Sequence, residues 1–234
     1  MKDHVVVVTG AGRGIGRETA LRFAKRAATV VICSRTPNEL SRVRTEILAA
    51  GGAALAERCD VGNAAEVESF IVKASEITGT INVVVNNAGV AYTNPVTSTD
   101  INKWEEVIRT NLTGAFLVTK SALPHMRSGS HIFNLCSIAA KTGFANWAAY
   151  CASKWGLLGF TNALREEIRS SGIKVTSILP GPTDTPIWGA LEGEWDTSAM
   201  TAPGVIADMI LNIYTQPPES MTEEVVIMPQ GGVM

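Results

Sequence analysis

No apolar run in this 234-residue chain approaches the roughly eighteen residues needed to cross a bilayer. The opening stretch, "MKDHVVVVTGAG", has too short an apolar run for a secretory signal and leads directly into a glycine-rich turn. An excess of charge is missing too. The 20 basic and 22 acidic residues leave a formal net charge of −2, which creates no field to hold nucleic acid or an anionic membrane. The four cysteines, Cys33, Cys59, Cys136 and Cys151, form no C-x-x-C pair and read as buried thiols of a reducing compartment, so the expected address is cytoplasmic. The three histidines, His4, His125 and His131, have no ligand spacing, and no metal site is expected. Nothing resembles a linker, so residues 1–234 are expected to fold as one domain.

What the chain does have is a regular alternation. Seven short β-branched runs, "HVVVVTG", "TVVICS", "AALAERCDV", "NVVVNNAG", "HIFNLCS", "IKVTSILPG" and "EEVVIMP", are separated by helical patterns near residues 14–27, 38–50, 63–78, 100–127, 147–171 and 203–214. Unbroken apolar strands suit a sheet covered on both faces. Alternating strands and helices then predict a doubly wound, mostly parallel α/β sheet of the Rossmann type, with ligands at the carboxyl ends of the strands. Pro124 should bend or end the fourth helix. Residues 182–202 are the one long irregular segment and read as a lid over a substrate.

The polar motifs fall at those strand ends. "TGAGRGIG" places Gly10, Gly12, Gly14 and Gly16, with Ile15 among them, between the first strand and first helix, where glycine admits a tight turn and a close phosphate. After the second strand stand Ser34 and Arg35, where an NAD site would usually offer an acid to the ribose. Arg35, with Arg13 from the glycine turn, would instead pair with a 2′-phosphate, which favours NADPH over NADH. Two solvated surface arginines are the alternative reading. Asp60 and Val61 are placed at the end of the third strand, within reach of an adenine, and Asn87, Ala88 and Gly89 after the fourth.

Asn111 interrupts a long helical pattern, where a buried polar group suggests a kink. Ser137 ends a strand thirteen residues before Tyr150. Tyr150 and Lys154, in "NWAAYCASKWG", are spaced to share one helical face. Taken singly, each of these is more often structural than chemical.

In order along the chain, T-G-x-x-x-G-I-G at Thr9 to Gly16, D-V at Asp60, N-N-A-G at Asn86, Asn111, Ser137, Y-x-x-x-K at Tyr150 and P-G-x-x-x-T at Pro180 resemble the short-chain dehydrogenase/reductase family. Within it, "YCASKWG" and "PGPTDTPIWG" look like the NADPH-dependent 3-oxoacyl reductase and sepiapterin reductase-like branches. The resemblance implies that Tyr150 is the general acid and base, that Ser137 steadies the substrate oxygen, that Lys154 holds the nicotinamide ribose and that Asn111 anchors a relay water. It also implies that Pro180, Gly181, Thr183 and Thr185 approach the cofactor. An adjacent ammonium would lower the pKa of Tyr150 from its ordinary value near 10.

The reaction so implied is reversible reduction of a ketone or aldehyde by NADP(H), with a small-molecule carbonyl or alcohol as partner. The alternatives are a dedicated oxoacyl-carrier or pterin reductase, for which Lys103, Arg109 and Lys141 are candidate carrier contacts, and a non-catalytic NADP-binding regulatory protein. Phe144 and Trp188 are expected at the substrate, with Trp147, Trp155 and Trp195 as further aromatic candidates. The family is commonly tetrameric, joined by the helices at 100–127 and 147–171, so a dimer or tetramer is expected. Three departures from its usual pattern are Asn82 in place of Asp, Cys136 before Ser137, and Ala27-Ala28 where a glycine is usual.

Overall fold

Alternate residues of β1 (Val5–Thr9) feed two different cores, because successive side chains on a strand point to opposite faces. Val6 and Val8 pack with Phe23, Leu40, Val43 and Ile206, whereas Val5 and Val7 pack with Val67, Phe70, Val118 and Leu164. A computed structural model, describing residues 1–191 and 193–232, shows what this requires: helices on both faces of a single sheet. The remaining strands are β2 (Thr29–Ser34), β3 (Ala53–Arg58), β4 (Val83–Asn86), β5 (His131–Leu135), β6 (Lys174–Pro180) and β7 (Glu224–Ile227). They lie in the order β3-β2-β1-β4-β5-β6-β7, and each pairs in parallel with its neighbours.

Helices α1 (Gly14–Lys25), α2 (Pro37–Ala49) and α7 (Pro203–Tyr214) cover one face. The other carries α3 (Ala64–Ser75), α5 (Gly114–Ala122) and α6 (Ala148–Ile168). Three phenylalanines, Phe23, Phe70 and Phe133, are among the largest fully buried side chains, and such burial is worth about 2–3 kcal/mol for each. Strand order reverses between β1 and β4. The loops that follow these two strands therefore part and leave a crevice at their carboxyl ends. No helix among the described residues is long and apolar enough to cross a membrane.

Several expectations are corrected in detail. The helix predicted over 100–127 is α4 (Ile101–Ile108), one π-helical turn at Arg109–Thr113, α5, and a 3₁₀ turn at Leu123–His125 that contains Pro124. The third strand stops at Arg58, so Asp60 and Val61 stand just beyond it. Cys151 is only half-buried, unlike the other three thiols. Residues 182–202 include 3₁₀ turns at Trp188–Ala190 and Thr197–Ala199 and a bridge between Thr183 and Thr201. The Asn82 departure is harmless: its Oδ1 accepts a 2.8 Å hydrogen bond from the Val5 N–H, as a carboxylate would.

Candidate active site

The turn after β1 is bolted to the turn after β4. Thr9 Oγ1 accepts from the N–H groups of Asn87 and Ala88 at 3.1 and 3.0 Å. Asn87 Nδ2 donates back to the carbonyls of Thr9 and Gly10 at 2.8 and 3.0 Å. Gly10 has φ +63, and a Cβ there would lie 2.7 Å from Ala88 Cα, so both its conformation and its contact demand glycine. Arg13 stands at the N-cap of α1 without a side-chain cap bond, and no acid lies in the first turn. The N–H groups of that turn thus face the crevice with the helix dipole behind them, which suits a phosphate.

At the end of β2 an acid does intrude. Glu39, in the first turn of α2, lies against Gly12 and pairs with Arg13 at 3.8 Å, while Arg35 pairs with Glu106 at 3.3 Å. Arg13 and Arg35 both line the crevice as expected, and each faces a glutamate. Ser34 Oγ accepts from the Thr36 N–H at 3.1 Å, which shapes the same corner. Asp60 spends one carboxylate oxygen on the Gly62 N–H at 2.9 Å, and Val61 packs where a Cβ on Gly114 would strike it.

The other end of the crevice gathers the polar residues of β5 and α6. Lys154 is 4% exposed, donates to the Leu135 carbonyl at 2.7 Å and lies 5.5 Å from the centre of the Tyr150 ring. Burial lowers Lys154 to about 8. Burial also pushes Tyr150 up to about 12, against the pull of the neighbouring Ser137 hydroxyl. The direction is thus upward, opposite to the lowering expected from the ammonium, because burial disfavours the charged phenolate. Ser137 Oγ accepts from the Ala139 N–H at 3.1 Å and points toward the Pro180 carbonyl at 3.5 Å.

Asn111 lies in the π-helical turn and is 1% exposed. Its Oδ1 accepts from the Val90 N–H at 2.8 Å, and its Nδ2 donates to the Val90 carbonyl at 2.9 Å and to Ser153 Oγ at 3.0 Å. Ser153 Oγ in turn donates to the Tyr150 carbonyl at 2.7 Å. Both amide hydrogens are committed. Asn111 therefore ties the chain after β4 to the turn of α6 that carries Tyr150.

Every residue expected at cofactor or substrate lines one crevice of about 360 Å³, except Gly16 and Asn111, which stand behind its wall. Gly16 is needed for packing: a Cβ there would lie 2.6 Å from the Gly10 carbonyl oxygen. Phe144 and Trp188 line the crevice as expected, together with Trp147 and Trp195, whereas Trp155 is 53% exposed elsewhere on α6. Of the carrier-contact candidates, Lys103 pairs with Glu106, Lys141 with Glu224, and Arg109 lies against Gly62, so none lines the crevice. Sequence reasoning missed Glu39, Val90 and Ser153. Glu39 alone left a readable sign, an acid in the first helical turn after Arg35.

Sheet order and glycine turn together define a Rossmann-like α/β protein with a crevice at the strand ends. The chain belongs to the short-chain dehydrogenase family: residues 4–195 match the family described as short chain dehydrogenase. It is 32% identical to the sepiapterin reductase of Chlorobaculum tepidum, over 98% of this chain and 97% of that protein. It is 37% identical to the 3-oxoacyl-[acyl-carrier-protein] reductase of Synechocystis, covering 82% of this chain and 78% of that one. Among solved structures, a metagenomic short-chain oxidoreductase in complex with NADP superposes with a TM-score of 0.86 at 32% identity, with 98% of both chains covered.

Proposed function

We propose that this oxidoreductase is an NADPH-dependent carbonyl reductase that converts a ketone or aldehyde to the alcohol, reversibly, with Tyr150 as proton donor. The observation that carries the reading is the sharing of one crevice by an uncapped helix N-terminus with Arg13 and Arg35 at one end and Ser137, Tyr150 and Lys154 at the other. The NADP-bound relative supports the choice of cofactor.

When bound, NADPH supplies the hydride that the carbonyl carbon receives. The first turn of α1 would hold the pyrophosphate, and Arg13 with Arg35 would hold the 2′-phosphate. Tyr150, protonated at neutral pH, gives its proton to the carbonyl oxygen, and the Ser137 hydroxyl donates to the negative charge developing on that oxygen. Lys154, still largely cationic at neutral pH, would hold the nicotinamide ribose and steady the phenolate left on Tyr150. A relay water at Asn111 would have to rest on its backbone or on the second lone pair of Oδ1, since its amide hydrogens are taken. Residues 182–202 serve as the lid, and residues 1–234 act as one catalytic domain. The exposed Phe116 of α5 and Trp155 of α6 support assembly of copies through these helices, as a dimer or tetramer in the cytoplasm.

The test is loss of NADPH absorbance with a panel of carbonyl compounds. Tyr150→Phe should keep cofactor binding and lose about 10²–10⁴-fold in turnover. Wild-type rates in that variant would remove Tyr150 from the mechanism.

A further inference from the structure

Beyond Tyr150, the crevice is walled by aromatic rings brought from two separate stretches of chain. Trp147 stands at the N-cap of α6, directed by Asn146, whose φ of +68 turns the backbone sharply into the helix. Trp188 opens one 3₁₀ turn, and Trp195 lies just before the next. The Trp147 ring meets those of Tyr150, Trp188 and Trp195 edge-on at 5.5, 6.0 and 6.2 Å, and Trp188 tilts against Trp195 at 4.8 Å. Trp188 spends its N–H on the Thr183 carbonyl at 2.8 Å, so it offers a ligand only its π surface. Trp195 remains 37% exposed. Each indole can bury about 150–250 Å² of surface, an area that a flat partner would cover better than a flexible chain.

Charge is distributed the other way. Among the described residues, the charged groups that line the crevice are Arg13, Arg35, Glu39, Asp60 and Lys154. The first four surround the glycine turn and the ends of β2 and β3, and Lys154 is buried against Leu135. None belongs to the aromatic wall. A phosphorylated carrier arm would call for cations at this end.

We infer that the substrate is an uncharged, flat aryl ketone, its ring held among Trp147, Trp188 and Trp195 with its carbonyl at Tyr150, rather than a carrier-bound acyl chain. The inference rests on the carbonyl reductase reading above. In the reaction, the carbonyl carbon gains a hydride from NADPH and the oxygen gains the Tyr150 proton. An alcohol and NADP⁺ leave, and water returns the proton to Tyr150.

The experiment compares α-tetralone, its saturated analogue 1-decalone, a 3-oxoacyl thioester and a pterin ketone as substrates with NADPH. The expected kcat/KM is at least about tenfold higher for α-tetralone than for 1-decalone, the worth of one or two aromatic contacts. Trp147→Leu and Trp188→Leu should erase that preference by raising KM for the aryl ketone, and Trp188→Phe should restore part of it. Equal or faster turnover of 1-decalone, the thioester or the pterin would overturn the aryl assignment and leave the reductase reading intact. If wild type reduces no carbonyl at all, the reductase reading fails. Tryptophan fluorescence of the Tyr150→Phe protein with NADP⁺ then decides the ligand class: saturable quenching by α-tetralone upholds it, and no quenching overturns it.

Discussion

Lys154 Nζ lies 5.5 Å from the centre of the Tyr150 ring, yet it gives its hydrogen bond to the Leu135 carbonyl, 2.7 Å away. The lysine is thus anchored to the end of β5 rather than to the phenol it accompanies. With Lys154 lowered to about 8 and Tyr150 raised to about 12, the neutral-pH state is a cation beside a protonated donor. Reduction should therefore hold level through neutral pH and fall as pH rises through about 8 and Lys154 discharges. A pH profile of kcat/KM that stayed flat to pH 10 would contradict this assignment.

The same burial has a cost in stability. Between the folded value of about 8 and the ordinary 10.5, the unfolded chain binds a proton that the folded chain has released, so Lys154 makes stability rise with pH across that window. Below it the full cost is present, about 3 kcal/mol at most. Lys154→Met should raise stability by about 1–2 kcal/mol at neutral pH, after the loss of the bond to Leu135 is set against it. Denaturant melts at neutral pH and at pH 10 should show the gain shrinking at the higher pH.

His131 works in the opposite pH range. It is buried, stacked on Phe133 at 4.0 Å and hydrogen-bonded to Thr176 Oγ1 at 2.7 Å, and burial lowers it from 6.5 to about 3. As pH falls from 6.5 toward 3, the unfolded chain gains a proton that the folded one refuses, and stability declines by up to about 4 kcal/mol. His131→Gln should flatten that decline in urea melts, even if it lowers stability at neutral pH.

Glu39 competes for the cation that the 2′-phosphate needs. It pairs with Arg13 at 3.8 Å and lies against Gly12. Glu39→Gln should lower KM for NADPH by about 2–10-fold, the effect of removing one partly screened like charge, and leave KM for NADH nearly unchanged. In steady-state kinetics with both cofactors, an unchanged KM for NADPH or an equal shift for both would show that Glu39 does not compete for the 2′-phosphate.

Ala27, one residue past the Arg26 C-cap of α1, lies in the left-handed region, with φ +62. The N–H of Ala28 bonds the Phe23 carbonyl and that of Ala27 bonds the Ala24 carbonyl, a Schellman closure in which glycine is usual at residue 27. Ala27→Gly should relieve about 1 kcal/mol of strain and raise Tm by about 2–4 °C. An unchanged or lower Tm would show that the backbone carries no strain there.

Much of this molecule was legible in the order of its residues. The unbroken apolar run Val5 to Val8, the glycines after β1 and the Tyr150–Lys154 spacing are local patterns, fixed by backbone geometry within a few residues. They determined the parallel sheet, the phosphate turn and the chemical pair. Folding alone decided what depends on residues distant in sequence. Asn111, in the π turn, is satisfied only because the N–H and carbonyl of Val90, twenty-one residues earlier, and the Ser153 hydroxyl, forty-two residues later, are brought to its side chain. Glu39 confronts Arg13 because α2 packs beside the glycine turn, and Trp147, Trp188 and Trp195 meet because the segment after β6 folds back over the start of α6. Tyr150 is raised rather than lowered for the same reason. Its pKa follows from how much water the packed chain excludes, a property of the tertiary fold and of no single stretch of residues.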